Sequence, residues 1–382
     1  MQEENNVLLA DAGNVFGYAG VQSRLKSATA IRAMALMAYD VLNLSNLEFS
    51  FGLDFLLQTT SSSPISVISA NIVYEDTDEP VTAPSRIISF DNFNVGLMGV
   101  VGKKYEKFIL DANAEAARPV KVIDEMTALQ QQVNALRNDV DILIVLANTG
   151  VDRAKEIAQD ITGIDVIVCG HGAETIPSYY YINKVYIVKA GYEGTTIGKL
   201  SLSLDGRNKI IDAAGTVITL EKTIEEDSGI LALIDEYHKS LKEYADELFD
   251  FVPKQPSSGG SYVGSATCAG CHASQTDQWN TTDHAEAFNS LAVNNQDYNP
   301  ECVSCHVTGF GYVGGFKRPD HTPEMADVQC EMCHGAGAEH AANPQPGYGQ
   351  ISLLDCNMCI NCHTSDRSPN FDCATYYIEV AH

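Results

Sequence analysis

The sequence predicts a multidomain protein in which an α/β domain is followed by a smaller, mainly helical and loop-rich domain. Its 382 residues are more than one typical domain needs. Apolar strand-like runs alternate with amphipathic helical stretches in the first part, whereas the last part is poor in aliphatic residues. Ten of the eleven cysteines lie after residue 267. The predicted domains are 1–222 and 262–382, joined by a helix and linker over 223–261.

Strand-like and helical segments alternate along residues 1–222. Short apolar runs predict buried strands, and longer stretches with apolar residues at helical spacing predict helices. The predicted strands are Val7–Ala10, Asp40–Leu44, Ile65–Ala70, Val95–Val101, Asp141–Ala147 and Asp165–Cys169. The predicted helices are Ser23–Ala38, Glu125–Leu136 and Ala154–Ile161. Uninterrupted apolar strands between helices indicate a sheet that is covered on both faces.

The pattern changes after the last of these strands. Residues Val185–Leu220 alternate between apolar and polar, and Asp205-Gly206 is a favourable hairpin turn within them. Ile224–Phe249 is predicted to be a long acidic helix. Residues 253–260 are rich in Pro, Ser and Gly, which is typical of a linker.

The chain carries 50 Asp and Glu against 24 Lys and Arg, a formal charge of −26. Nucleic acid is excluded as a partner because phosphate binding needs a basic surface. No segment has the roughly 20 apolar residues that span a bilayer. The acidic start Met1–Asn6 does not resemble a signal peptide, so the chain is expected to be a mature form or to have a start placed too late.

Residues 261–382 contain too few aliphatic side chains for an ordinary core. Leu, Ile, Val and Phe together supply only 17 of these 122 residues. Composition alone would predict disorder. The segment is therefore expected to fold around something other than aliphatic side chains.

The motif Cys-x-x-Cys-His occurs four times in this segment and is typical of c-type haem attachment. Zinc sites would not need His after the second Cys each time, and disulfides between such close cysteines are strained. Four covalently bound c-type haems (iron) are therefore predicted. The predicted haem-bound cysteines are Cys268, Cys271, Cys302, Cys305, Cys330, Cys333, Cys359 and Cys362. The predicted axial iron ligands are His272, His306, His334 and His363.

Four further histidines in this half are candidates for the second axial ligand of each iron, namely His284, His321, His340 and His382. Three cysteines lie outside the motifs. A disulfide between Cys356 and Cys373 is plausible in an oxidising compartment, and a third covalent partner for the fourth haem is the weaker alternative. Cys169 follows a predicted strand and is expected to be a core thiol.

Residues 262–382 resemble the tetrahaem cytochrome c-554 family. The stretches that carry the resemblance are Tyr262–His272, His284–Phe288, Cys302–Phe310, Val328–Gly335 and Ser368–Asp372, with Trp279, His340 and the final His382. The resemblance implies that His340 binds the first haem, His284 the third and His382 the fourth. The second haem is five-coordinate in the type member of the family. His321 either closes that site here or leaves its iron open to a small ligand.

Residues 7–220 resemble the metallophosphoesterase domain of the 5′-nucleotidase and UDP-sugar hydrolase family. The matching stretches are Leu9–Asn14, Tyr39–Phe49, Ser69–Ile72, Asp141–Gly150, Gly163–His171 and Gly191–Leu202. Such enzymes activate water with two metal ions. Of the implied ligand positions, Asn46 and His171 are retained, and an Asp-x-His on an earlier strand is absent. The positions that differ are Asn14, Leu47, Asn148 and Ala173. No functional dinuclear metal site is therefore expected.

The sequence favours an electron carrier that is not an enzyme, placed in the periplasm or outside the cell because haem attachment takes place there. The first domain is expected to serve docking or assembly, with a filament as one form. The expected partners are other cytochromes, other redox proteins or copies of the chain, and the acidic surface favours cationic ones. Two alternatives remain open. One is a redox enzyme that uses an open second haem, and the other is a metal-dependent phosphoesterase with a redox appendage.

Overall fold

The computed structural model describes residues 6–257, 259–347 and 357–382. The chain divides into two compact units, with the boundary between Leu233 and Ile234. Within the described ranges, no helix is long and apolar enough to cross a membrane.

The first unit is an alternation of strands and helices. Its strands are β1 (Ala10–Asp11), β2 (Val41–Asn43), β3 (Ser66–Ile68), β4 (Ile72–Tyr74), β5 (Ser85–Phe90), β6 (Phe93–Val101), β7 (Val120–Val122), β8 (Ile142–Asn148), β9 (Val166–Cys169), β10 (Ile176–Ile182), β11 (Val185–Lys189), β12 (Thr196–Leu204) and β13 (Ile210–Thr219). Its helices are α1 (Val21–Leu36), α2 (Gly52–Ser61), α3 (Glu106–Ala112), α4 (Glu125–Leu136) and α5 (Val151–Asp160). Short 3₁₀ turns lie at Leu47–Phe49 and Lys103–Tyr105.

Two sheets form the centre of this unit. One has the order β1-β2-β3 and is parallel throughout. The other has the order β10-β11-β9-β8-β6-β5, with parallel central strands and an antiparallel strand at each edge. β12 pairs with β13, and β4 pairs with β7, as separate antiparallel ribbons.

The sequence of strand β8 is apolar almost without interruption because both faces of the strand are buried. Leu143 and Val145 face a cluster that includes α4 and α5 side chains, whereas Ile142 and Leu146 face a cluster shared with the three-stranded sheet. A third cluster packs α1, α2 and α3 on the outer face of that sheet. The unit is thus a sandwich of two sheets with helices on both outer faces, as the α/β prediction expected.

Several predicted elements are confirmed closely. The predicted helix 125–136 is α4, and Asp124 caps it by accepting a hydrogen bond from the backbone N–H of Thr127. The Asp205-Gly206 turn lies between β12 and β13 as predicted, with the Asp205 backbone N–H donating to the Lys209 carbonyl.

The second unit is made of short helices and loops, as predicted. Helix α6 (Ser228–Glu243) crosses the boundary between the units, and the others are α7 (Ala245–Leu248), α8 (Ser265–Ala269), α9 (Ala273–Trp279), α10 (Ala287–Ala292), α11 (Pro300–His306), α12 (Cys330–His334), α13 (Ala338–Ala342) and α14 (Cys373–Val380). Short 3₁₀ turns lie at Asp283–Glu286, Pro323–Met325 and Cys359–Asn361.

The helix predicted as a connector belongs largely to the second unit. It breaks at Tyr244 between α6 and α7. Leu241 and Phe249 are buried, and the Phe249 ring contacts the rings of Tyr298 and Phe310 at 6.3 and 6.0 Å. The boundary therefore lies about ten residues later than the predicted end of the first domain, because these apolar side chains help to cover the helices that follow.

Candidate functional site

Each Cys-x-x-Cys-His motif lies on a short helical turn of the second unit. The first spans the end of α8, the second and third are α11 and α12, and the fourth includes the 3₁₀ turn at Cys359–Asn361. The backbone N–H groups of His272 and His363 each donate to the carbonyl of the first cysteine of their motif, at 2.9 and 2.8 Å. One helical turn therefore places the cysteines and the histidine on a common face.

Histidine rings from distant segments face each other in three pairs. The ring centres lie 6.2 Å apart for His272 and His340, 6.1 Å for His284 and His363, and 5.5 Å for His334 and His382. A histidine nitrogen binds a metal ion at about 2.0 Å, so two histidines on opposite sides of one ion have ring centres roughly 6 Å apart. The three pairs therefore fit axial ligation of three haem irons.

Two of the expected ligand pairs differ from the histidine pairs that face each other in this structure. The resemblance implied that His284 serves the third haem and His382 the fourth. The structure instead pairs His284 with His363 of the fourth motif, and His382 with His334 of the third. The His272 and His340 rings face each other as the resemblance implies. Which histidine binds which iron stays a prediction.

Hydrogen bonds orient two of the motif histidines. His306 Nδ1 lies 2.7 Å from the Ala287 carbonyl oxygen, and His363 Nδ1 lies 3.2 Å from Ser368 Oγ. A carbonyl only accepts, so Nδ1 of His306 is the protonated nitrogen and Nε2 keeps its lone pair. Such contacts fix the tautomer that a metal ligand needs.

The second motif differs from the other three. In the described part of the chain, no ring contact joins His306 to another histidine. His321, the residue expected to close this site, lies on an exposed turn whose backbone N–H donates to the Arg318 carbonyl. The structure therefore does not bring His321 and His306 together as a pair.

His238 lies near the second motif, which the sequence did not reveal. Its Nε2 is 3.0 Å from Gln296 Nε2, and the Gln296 side-chain oxygen accepts from Cys302 Sγ at 3.4 Å. Sequence alone places His238 on an acidic helix, and only the packing of α6 in the second unit brings it here.

The motifs also approach one another through their cysteines. None of the eight motif cysteines, all of which lie in the described part of the chain, forms a disulfide. The Cys268 thiol of the first motif hydrogen bonds to Cys330 of the third, and the Cys362 thiol of the fourth hydrogen bonds to Cys305 of the second. Burial, and then the nearby Cys359 thiol, raises the pKa of Cys333 to about 11. The third and fourth motifs are therefore neighbours as well.

The cysteines outside the motifs differ in state. Cys169 is buried in the first unit, and burial raises the pKa of its thiol to about 11, which suits the predicted core thiol. Cys373 is disulfide-bonded. Cys356 lies outside the described residues, so its predicted pairing with Cys373 stays a prediction.

The first unit has a second cluster of polar residues, at the carboxyl ends of its parallel strands. Asn148 ends β8, and its Nδ2 donates to the Ala12 carbonyl at 3.2 Å. Asn14 Oδ1 accepts from the Leu47 backbone N–H at 3.2 Å. These contacts bring together the strand ends that carry Asn14, Asn46 and Asn148.

The remaining strand end carries His171, whose ring centre lies 4.7 Å from that of Tyr105. Burial, and then the charges of Lys104 and Lys189, lowers the pKa of this histidine. Within the described residues, no group of three or more His, Cys, Asp or Glu side chains is arranged to hold a metal ion. Leu47 and Ala173 have no metal-binding atoms, so this edge does not fit the dinuclear ligand set that the resemblance implies.

Two buried charged residues shape this edge, and neither was identified from the sequence. Glu48 is fully buried and accepts hydrogen bonds from the backbone N–H groups of Val15 and Ser45 at 2.6 and 2.9 Å. Lys189 is buried and donates from Nζ to the carbonyls of His171 and Gly172, both at 2.6 Å. Both fix loop backbone, a role that no local pattern indicates.

Comparison with protein families supports a haem protein in the second unit. The family described as cytochrome c554 and c-prime matches residues 267–335, which contain the first three motifs. The fourth motif lies beyond the matched residues. The expected resemblance is confirmed in this region, and the match implies c-type haem and a role in electron transfer.

The first unit is similar to nucleotidases and related hydrolases. A 5′-nucleotidase of Rattus norvegicus is 28% identical over 270 residues, which cover 64% of this chain and 46% of the relative. The chain thus spans about half the length of the curated relatives it matches. Sulfate thiohydrolase SoxB of Thermus thermophilus superposes with a TM-score of 0.55 at 19% identity, over 65% of this chain and 44% of that one.

A calcineurin-like phosphoesterase, YfkN of Bacillus subtilis, superposes with a TM-score of 0.55 at 21% identity and covers 63% of this chain and 85% of its own. The first unit therefore has the α/β calcineurin-like phosphoesterase fold, as expected. The expectation that the chain is not an enzyme is contradicted, since the relatives that match here are 5′-nucleotidases.

Proposed function

We propose that the chain is a multihaem c-type cytochrome that holds four haems and transfers electrons in the periplasm or outside the cell. The observation that carries the proposal is the set of three opposed histidine pairs, with ring centres 5.5 to 6.2 Å apart. Reversible one-electron exchange is the chemistry that c-type haem supplies when it is bound. Two histidines on one iron would leave no open position, so three of the sites would exchange electrons without binding a substrate.

Contacts between motifs support transfer along a continuous path. Thiol contacts join the first motif to the third and the fourth to the second, and the Cys333 thiol of the third motif lies near Cys359 of the fourth. From these neighbours we infer that the four attachment sites follow one another in the order first, third, fourth, second. The first and second sites are the two ends of this order, where donors and acceptors would dock.

The compartment and the partners follow from the chemistry of the chain. Cys373 is disulfide-bonded, and disulfides persist in oxidising compartments. The formal charge of −26 favours partners with cationic surfaces, including other cytochromes with basic docking faces. Size-exclusion chromatography and electron microscopy of the holoprotein measure whether the chain assembles with copies of itself, into a filament or a smaller oligomer.

Histidine substitutions test the ligation pattern. His382→Ala should remove one bis-histidine signal from the electron paramagnetic resonance spectrum of the oxidised protein, and His284→Ala should remove a different one. His382→Ala combined with His334→Ala should lose no more low-spin signal than His334→Ala alone, because both serve one iron. His321→Ala is the matched control and should leave the spectrum unchanged. Loss of the same signal in the His284 and His382 variants would contradict the assigned pairs.

Small-ligand chemistry at the second haem is a further candidate, favoured by the lack of an opposed histidine for His306 among the described residues. The reduced protein should then bind carbon monoxide at one site per chain. His306→Ala should alter that spectrum, whereas His334→Ala should not abolish it. Absence of any carbon monoxide complex in the reduced wild-type protein would rule out this candidate.

Phosphoester hydrolysis by the first unit is also a candidate, favoured by the similarity to 5′-nucleotidases. His171 and Asn46 still lie at the strand ends where that family binds metal. The purified chain should then hydrolyse a nucleoside monophosphate or bis-nitrophenyl phosphate with added manganese, and His171→Ala should abolish the activity. A wild-type protein without turnover under these conditions would exclude the candidate.

A further inference from the structure

A glutamate in the third motif is buried although the motif requires no particular residue at that position. Glu331 follows Cys330 and is 3% exposed. Its carboxylate accepts hydrogen bonds from the backbone N–H groups of Val263 at 3.0 Å, Gly264 at 2.7 Å and Gly337 at 2.7 Å. Buried glutamates are rare unless their charge is compensated.

These contacts satisfy the acceptor oxygens of the side chain. Backbone N–H groups only donate, so each contact places a partial positive charge against the Glu331 carboxylate. Within the described residues, no Lys, Arg or His forms an ion pair with Glu331. Its charge is therefore held by peptide dipoles and is not cancelled by a neighbouring cation.

Glu331 lies where the segments of the first and third haem sites meet. Val263 and Gly264 precede the first motif, and Gly337 precedes α13, which carries His340. Gly264 links the carboxylate to the first motif, because its N–H donates to Glu331 at 2.7 Å and its carbonyl oxygen accepts from Cys268 Sγ at 3.7 Å. Glu331 also directly follows Cys330 of the third motif. One buried charge thus faces two haem sites.

We propose that the Glu331 carboxylate lowers the reduction potentials of the first and third haems. This rests on the proposed function as a multihaem cytochrome. An oxidised haem carries one more positive charge than a reduced one, so a nearby anion stabilises the oxidised state. Burial strengthens the effect because the charge interacts through protein rather than water. Glu331 therefore makes the pair of sites at one end of the path the low-potential end.

A redox titration of Glu331→Gln in the full holoprotein tests this role. Gln keeps the size of the side chain and one acceptor oxygen but removes the charge. About half of the haem absorbance should then titrate at a higher potential than in the wild type, with the other half unchanged. Glu339→Gln removes an exposed carboxylate beside His340 and is the matched control, which should shift the potentials less.

An unchanged titration, or an equal shift of all four haems, would overturn the proposal. Glu331→Asp separates charge from contacts and also decides the matter if the Gln variant does not assemble. Asp keeps the charge, so its potentials should stay near the wild-type values, whereas a rise would show that the contacts and not the charge matter. Failure of the proposed function would be distinct, because the wild-type chain would then lack reversible haem titrations altogether.

Discussion

The interiors of the two units of the chain are stabilised in different ways. The first buries aliphatic side chains in three clusters on both faces of two sheets. The buried apolar residues described in the second are few, namely Tyr237, Leu241, Ala245, Phe249, Leu291, Tyr298, Val303, Val307, Phe316, Met325 and Ala336. The first unit therefore carries its own hydrophobic stabilisation, whereas the second depends on its cofactors to complete a core.

Preventing haem attachment should have the largest effect on folding, and it should affect the two units differently. We expect the chain made without haem to lose the fold of residues 262–382, since aliphatic burial there cannot offset the entropy of ordering the chain. The first unit should keep its fold. Limited proteolysis with mass analysis of the fragments measures this. Equal protection of both units against proteolysis without haem would show that the second unit does not need haem to fold.

A shortened side chain in the core of the first unit should destabilise that unit and leave the second unit unchanged. Leu146 is fully buried between the two sheets. Leu146→Ala should lower the unfolding free energy of the first unit by about 2–5 kcal/mol. Denaturant unfolding followed by circular dichroism measures the loss, and the Soret absorbance is the control that should keep its wild-type transition. A parallel shift of the Soret transition would show that the two interiors are not independent.

Substitution of Glu48 should change the unfolding free energy by a smaller amount, and this change should depend on pH. Both units bury a glutamate among backbone N–H donors, Glu48 in the first and Glu331 in the second. Burial is the main cause that raises the pKa of Glu48 above its ordinary 4.5, and the backbone hydrogen bonds oppose it. The folded state then binds the proton more tightly than the unfolded state, so this group contributes less stability as the pH rises above about 4.5.

The pH dependence of Glu48→Gln isolates this contribution. The unfolding free energy of the wild type, minus that of the variant, should fall as the pH is raised from 4.5 toward neutrality. Other carboxylates cancel in the difference because both proteins contain them. A difference that grows with pH would mean that the backbone hydrogen bonds outweigh burial at this site.

Much of the first unit was predictable from local pattern. The predicted strand 141–147 is β8, displaced by one residue, because a strand buried on both faces must be apolar throughout. Strand β5 was missed, since its Arg86 and Ile87 are exposed at the edge of the sheet and give no alternation. The predicted hairpin was found because Asp205-Gly206 determines its turn locally.

The haem sites were only partly predictable. Attachment residues are fixed by spacing within five residues, so the sequence names them. The opposed histidines come from distant segments, and His284 and His363 meet only through the tertiary packing of loops. The rings that face His284 and His382 differ from the partners implied by the resemblance, because contacts between distant segments depend on loop packing that no local motif records.

The proposed function requires four haems in the second unit, three of them between paired histidines and one with an open position. Quantitative electron paramagnetic resonance of the oxidised holoprotein, with iron and haem measured on the same sample, checks this requirement. Four haems per chain are expected, with three low-spin ferric signals and one high-spin signal. Four low-spin signals, or fewer than three low-spin signals, would contradict the proposal.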